Sequence, residues 1–302
     1  MSLQVDSKTH IRTNVSLKSY STYKIGGTAR YFAEPQTQDE LFRVLEFRCS
    51  EGLRVLIIGR GSNLLISDDG FDGLALSLRH MDAEKFSVEH QTDLVVSAGM
   101  SLCRVSTLSQ EQSLGGSEFL CHIPGTVGGA IIMNAGFGRR GGTYCEIKNI
   151  LDSFTAIDLN GNFKKIHRDE IQFDYRQTNI PQDLIILAAK FRLAPKDCKE
   201  VEAEIKANFA YRNEVQDLRY PSAGSTFKNP KNSTLTSGQL LDRVQMKKVR
   251  IGGAMVSDRH ANFFLNVDHA TSQNVLDLIS EAKKRVFEEF GVQLHPEVRY
   301  VS

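Results

Sequence analysis

The 302-residue sequence predicts an α+β fold. Short apolar runs of strand type slightly outnumber amphipathic helical segments. Most of these runs are separated by tight turns, as at Asp68-Asp69-Gly70 and Leu159-Asn160-Gly161, which favours α+β over a doubly wound repeat. With 41% hydrophobic and 24% charged residues, the composition is that of a globular chain long enough for two ordinary domains, or for one large one with a smaller appendage.

The elements follow in order. Thr37-x-x-Glu40 has the capping-box pattern, and Leu41, Val44, Leu45 and Phe47 follow at helical spacing until Gly52. A second helix is expected from Ser101 to Leu114-Gly115-Gly116. A third covers 199–211 and puts Val201, Ile205 and Phe209 on one face. The strongest pattern runs from Thr271 to Phe290, with Val275, Leu278, Ile279, Ala282, Val286 and Phe290 in one stripe and Gly291 at the C-cap. Strands are expected at 54–58, 64–66, 74–78, 94–98, 154–158, 185–191 and 263–267. The polar stretch from Arg212 to Pro221 marks a domain boundary, giving domains of 1–212 and 213–302.

Thirty-seven Lys plus Arg against 36 Asp plus Glu leave no charge excess for generic nucleic-acid binding, although a local basic site is allowed. Cys49, Cys103, Cys121, Cys145 and Cys198 are odd in number and form no C-x-x-C, so a reducing compartment and no structural metal are expected. The first residues carry Asp6, Lys8 and His10 without an apolar stretch, and the longest apolar run, 184–189, is six residues. No export signal, no membrane span and a cytoplasmic location are therefore expected.

Two glycine-rich segments carry the chemistry. Gly59-Arg60-Gly61-Ser62-Asn63-Leu64 follows an apolar strand, and its small residues let backbone N–H groups converge on an anion such as a pyrophosphate. The third glycine of a Rossmann fingerprint is missing, and Leu64-Leu65-Ile66 reads as strand, so a Rossmann site is excluded; a plain strand–turn–strand connection would look the same. Pro124-Gly125-Thr126-Val127-Gly128-Gly129-Ala130 leads into Asn134-Ala135-Gly136 and lets the chain pass tightly against a flat ring or phosphates. Close helix–sheet packing is the competing explanation. Two such loops together favour a bound nucleotide cofactor.

These loops, with Tyr23-Lys24-Ile25-Gly26-Gly27, Tyr175-Arg176, Ala223-Gly224-Ser225-Thr226-Phe227-Lys228-Asn229-Pro230 and Pro296-Glu297-Val298-Arg299, occur in a familiar order. From about residue 20 onward the chain resembles the UDP-N-acetylenolpyruvoylglucosamine reductase family of bacterial peptidoglycan synthesis. The resemblance implies an FAD-binding region of the p-cresol methylhydroxylase/vanillyl-alcohol-oxidase type, in two subdomains near 1–80 and 81–212. It implies a smaller α+β substrate domain at 213–302, with the last few residues returning to the FAD region. It also implies non-covalent FAD reduced by NADPH, and a monomer.

The reaction so implied passes hydride from flavin N5 to C3 of the enolpyruvyl group of UDP-N-acetylglucosamine enolpyruvate. A proton then reaches C2, giving the D-lactyl ether of UDP-N-acetylmuramate. Negative charge builds on C2 and the carboxylate, so a cation or a carboxylic acid is needed there, with a neutral proton donor at C2. Arg176 and Glu297 match the family positions for the first role and Ser225 for the second; Glu297 serves as an electrophile only if protonated. Each residue also has an ordinary reading, as an ion pair for Arg176 and Glu297 and as a turn serine for Ser225. Asn229 matches a family contact to the substrate. Arg212, Lys228 and His260 are candidate contacts to the diphosphate or uridine, with solvated surface charges as the equal alternative, and Tyr175 is a candidate contact with a core tyrosine as the stronger alternative. Arg139 and Arg140 are candidate NADPH contacts, with an exposed loop as the stronger alternative.

The chain departs from the family pattern at His122, where glycine is usual. A rearranged loop is the simpler expectation than a covalent flavin link through His122 or Cys121. The segment from Gly136 to Tyr144 is longer and more basic than the pattern, and the length points to the shorter subtype without a substrate-capping Tyr loop. A flavin oxidase of the same fold or a non-enzymatic nucleotide-binding module remain the alternatives.

Overall fold

The longest apolar run becomes the middle strand of a five-stranded antiparallel sheet. In the computed structural model, which describes residues 11–82, 85–139, 142 and 144–302, the order is Phe163–His167, Leu151–Asp158, Leu184–Arg192, Asp93–Ser97, Phe86–Glu89. A strand buried on both faces loses the alternating pattern, which is why 184–189 is apolar without a break. Leu184 and Ile186 enter one core with Phe154, Phe191, Leu102, Val105, Leu108, Val127 and Ile131. Ile185 and Leu187 enter a second with Ile157, Leu41, Val44, Leu45, Leu74 and Leu76.

Helix α1, Gln38–Ser50, starts at Thr37, whose side chain accepts from the Glu40 N–H. The Glu40 carboxylate reaches the Gln36 N–H, one residue earlier than a capping box requires. Helix α2, Leu102–Glu111, has Ser101 as N-cap, and α3 is the short Val127–Ile132. Helix α4 is longer than expected, Cys198–Val215, and only part of its expected apolar face is covered. Val201 is fully buried, while Phe209 is 56% exposed. A four-stranded sheet, Arg12–Ser16, Thr28–Ala33, Phe71–Ser77, Val55–Ile58, ends in a parallel pair.

The third core holds Tyr23, Phe227, Leu240, Leu241, Phe264, Val275, Leu278, Ala282 and Val286. It gathers a three-stranded sheet, Arg250–Ile251, Ala254–Val256 and Phe264–Asn266, helix α5, Ser237–Arg243, and helix α6, Ser272–Phe290. The stripe expected on α6 is its buried face, and Gly291 caps it at φ +64°.

The chain divides into two compact units. One takes in the described residues up to Thr13, Tyr31–Arg60 and Gly73–Arg212; the other Asn14–Arg30, Gly61–Asp72 and Asn213–Ser302. The break after Arg212 lies where the polar stretch begins, but 14–30 and 61–72 sit with the C-terminal part, not with the N-terminal region. Arg299–Val301 pairs in parallel with Leu64–Ile66 inside this second unit.

Candidate active site

In the first unit the two glycine loops meet. A β-carbon on Gly59 would lie 2.4 Å from Thr126 Oγ1, so any larger residue at the end of Val55–Ile58 would have to displace the Thr126 side chain of the second loop. The second loop is stitched to 98–102: Leu102 N–H donates to the Gly125 carbonyl (3.2 Å), Val127 N–H to Met100 (3.0 Å) and Gly128 N–H to Ala98 (2.9 Å). Beside this seam lies a cavity of about 330 Å³ lined by Arg60, Arg79, His80, Gly99, Met100, Ser101, Arg104 and Thr126. Glu34 partly meets the charge of Arg79 (3.5 Å), and Glu111 that of Arg104 (2.8 Å). Arg60 has no ion-pair partner among the described residues. A cationic hollow beside this seam has the charge that suits a pyrophosphate-bearing cofactor, which Gly59, Arg60, Ser101, Arg104 and Thr126 would hold.

Not every loop residue is open to a ligand. Gly128 is small because α3 packs on the sheet: its β-carbon would meet Ala98 Cβ at 3.3 Å and Ile186 Cβ at 3.7 Å. Ala130 and Ala135 belong to the first core. Pro124 and Gly129 are exposed and Gly125 is half-buried.

Asn134, buried at φ +41°, spends its carboxamide on the backbone, donating to Asp174 O (3.1 Å) and accepting from Lys148 N–H (3.4 Å). Gly136 is in a two-stranded pair with Cys145-Glu146, where a β-carbon would lie 2.6 Å from the Cys145 carbonyl. Arg176 comes to this same segment. It occupies the hairpin turn between Phe173–Asp174 and Gln177–Thr178 at φ +55°. Its guanidinium donates to the carbonyls of Gly136 (2.9 Å) and Asn134 (3.5 Å) and to the Tyr144 hydroxyl (3.0 Å). It also lies 5.1 Å from the ring centre of Tyr175. Tyr144 was missed in the sequence; its closeness to Arg176 arises from a non-local contact that no spacing announces.

Cys121 and His122 end a short 3-10 turn, Glu118–His122, before the second loop. The Cys121 thiol donates to the Glu118 carbonyl (3.0 Å) and contacts His122 Nε2. Burial pushes the thiol up to about 12. The His122 ring is buried near Phe137 and Phe209, and burial, then the Arg212 charge, lowers it to about 4. Both stay neutral, and the His122 ring at this glycine position is accommodated by packing against Phe137 and Phe209. Arg212, expected to touch substrate, is part of this cluster, and burial lowers its pKa. Arg139 is half-buried, and Arg140 lies outside the described residues.

The second unit assembles the other candidates. Gly61, at φ +62°, allows the chain to pass the Tyr20 carbonyl, which a β-carbon would meet at 2.1 Å. Ser62 is half-buried, and Leu64 opens the strand Leu64–Ile66. Asn63 Nδ2 donates to the Glu297 carbonyl (3.0 Å), and the Asn63 carbonyl accepts from Arg299 N–H (2.9 Å). Glu297 N–H in turn donates to Thr226 O (2.8 Å), and Phe227 bridges Pro296. On its other side the segment bridges Phe263 through Ser225. Thus Asn63, Glu297 and Ser225 share one ladder.

The remaining expected contacts also take part in hydrogen bonds of the chain itself. Asn229 Oδ1 accepts from Ser237 N–H at the start of α5 (3.0 Å). His260 Nδ1 accepts from Asn262 N–H (3.2 Å), and burial lowers its pKa, which favours the neutral ring. Lys228 is half-buried, and its backbone pairs with His295.

Comparison with known proteins decides the family. Residues 216–301 match the C-terminal domain model of UDP-N-acetylenolpyruvoylglucosamine reductase, and 29–167 an FAD binding domain model. The reductase of Agathobacter rectalis is 36% identical, over 95% of this chain and 92% of that one. The chain belongs to the UDP-N-acetylenolpyruvoylglucosamine reductase family. The reductase of Synechocystis is 35% identical over 97% of this chain and 92% of its own. The crystal structure of the Thermus caldophilus reductase superposes with a TM-score of 0.79 at 29% identity, covering 97% of this chain and all of that one. The family has the α+β organisation read from the sequence, with an FAD-binding region and a smaller C-terminal domain. Among the described residues no helix is long and apolar enough to cross a membrane, and no cluster suited to a metal ion is found.

Proposed function

We propose that the protein reduces the enolpyruvyl group of UDP-N-acetylglucosamine enolpyruvate to the D-lactyl ether of UDP-N-acetylmuramate, using FAD and NADPH, in peptidoglycan precursor synthesis. The observation that carries this is the ladder joining Asn63 of the first glycine loop, Glu297 and Ser225, in a chain whose curated relatives are named for that reaction. Bound FAD would supply the hydride that NADPH provides.

The chain's own groups do the rest. The cationic hollow around Arg60 and Arg104 would hold the cofactor pyrophosphate. Ser225, following the open turn at Gly224, would hand its hydroxyl proton to C2, and Glu297 would stabilise negative charge on the carboxylate. Arg176 is the fixed cation proposed for that carboxylate, presented by its hairpin turn. Tyr175, Lys228, Asn229, Arg212 and His260 are retained as proposed substrate-side residues, with Asn229 and His260 acting through the backbone they brace.

The test is an anaerobic half-reaction on the FAD-loaded protein. Flavin reduced by NADPH is expected to reoxidise when the enolpyruvyl sugar nucleotide is added. Flavin that stays reduced would overturn the reading.

A further inference from the structure

Ser225 has no hydrogen-bond partner for its hydroxyl among the described residues, so the position of that hydroxyl depends on its backbone segment. That segment is held from one side by a relay that ends at a buried carboxylate. Asp217 is completely buried. Its Oδ1 accepts from the Arg219 N–H (3.2 Å) and Nε (2.8 Å); its Oδ2 accepts from an Arg219 terminal nitrogen (2.7 Å) and from Ser257 Oγ (2.7 Å). Arg219 also pairs with Asp258.

The Ser257 hydroxyl, having given its proton to Asp217, accepts from the N–H groups of Arg259 (3.0 Å) and His260 (3.2 Å). That fixes the turn 257–260, which closes with Phe263 N–H donating to the His260 carbonyl (2.9 Å) and Ser257 N–H to Phe263 O (2.8 Å). The turn delivers Asn262. Its carboxamide accepts from Phe227 N–H (2.9 Å) and donates to Phe227 O (2.9 Å), while its carbonyl takes the Thr226 N–H (2.8 Å). Ser225 is the next residue, bridged to Phe263.

We propose that Asp217 is a positioning residue for Ser225, acting through Ser257 and the Asn262 clamp. The proposal rests on the role given to Ser225 above. Asp217 touches no reacting atom. A local Asp–Arg pair needs no third partner, yet one carboxylate oxygen is shared with the hydroxyl that orders the turn. An ionised carboxylate orients that hydroxyl one way only, because it accepts and never donates. With the carboxylate replaced by an amide, Ser257 can reverse its proton and lose an acceptor site for the turn.

The experiment compares Asp217→Asn and Ser257→Ala with wild type in the FAD-loaded protein, measuring both half-reactions anaerobically alongside thermal stability. Both variants are expected to slow flavin reoxidation by the enolpyruvyl substrate roughly 10–100-fold, the scale of a small misplacement. Reduction by NADPH should stay within twofold. In a Ser225→Ala background, Asp217→Asn should slow reoxidation no further, which a merely structural role would not reproduce. Ser257→Ala keeps the Asp217–Arg219 pair and decides the matter if Asp217→Asn does not fold. Unchanged reoxidation in both variants, or full additivity with Ser225→Ala, overturns the proposal. If Ser225→Ala alone leaves reoxidation unchanged, the underlying role of Ser225 fails instead.

Discussion

At Gly59 the chain works by leaving a side chain out, whereas at Ser225 it works by holding one in place. The first unit makes its candidate cofactor hollow from a seam where a β-carbon on Gly59 would lie 2.4 Å from Thr126 Oγ1, and from the arginines that line it. The second unit clamps a short segment between two others through Asn262, Thr226 and Glu297. A cofactor that stays bound is well served by backbone and charge. A proton donor needs a fixed direction, and direction comes from hydrogen bonds on both sides. The difference predicts that damage in the first unit shows in cofactor retention, and damage in the second in the substrate half-reaction.

Arg176 puts this division under the greatest strain, because it braces the Asn134–Gly136 segment and is also the proposed cation for the substrate. Arg176→Ala is expected to slow substrate-driven reoxidation about 10²–10³-fold, the scale of one lost charge-stabilising group, with FAD retained and NADPH reduction little changed. Equal loss in both half-reactions, read by stopped-flow absorbance, would move Arg176 into the cofactor cradle.

His122 gives the next effect. Its pKa is lowered from 6.5 to about 4 by burial, so between those values the unfolded chain binds a proton that the folded chain does not. The stability this contributes is complete above about pH 6.5 and is lost as pH falls toward 4, for a total of about 3 kcal/mol. His122→Gln should flatten that part of the acid limb in urea midpoints measured from pH 7 to 4. An unchanged limb would mean that the ring is not held neutral.

Gly59→Ala is expected to weaken FAD binding ten- to a hundredfold, since overpacking of this size costs about 1–3 kcal/mol. Isothermal titration of the apoprotein checks it, and an unchanged affinity would show that the seam yields freely. The smallest effect is expected at a helix cap. Thr271→Ala removes the N-cap of α6 and should cost about 1 kcal/mol in urea denaturation, with both half-reactions intact.

Much of this was legible in the sequence where the signal is local. The α6 stripe, the strand at 64–66 that excluded a Rossmann site, and the uninterrupted run at 184–189 each follow from periodicity or its absence. What was not legible depends on partners far along the chain. Asn63 reaches Glu297 across 234 positions, and the pairing of Arg299–Val301 with Leu64–Ile66 draws 61–72 into the second unit. Phe209 shows the limit of periodicity itself: it has the spacing of a core residue, but its ring is mostly exposed.

The account stands most directly on Ser225→Ala in the FAD-loaded protein, with both half-reactions followed anaerobically on one preparation. The expected result is flavin reduction by NADPH at the wild-type rate and reoxidation by the enolpyruvyl sugar nucleotide slowed about 10²–10⁴-fold, the range of one acid–base group. Reoxidation at the wild-type rate would contradict it.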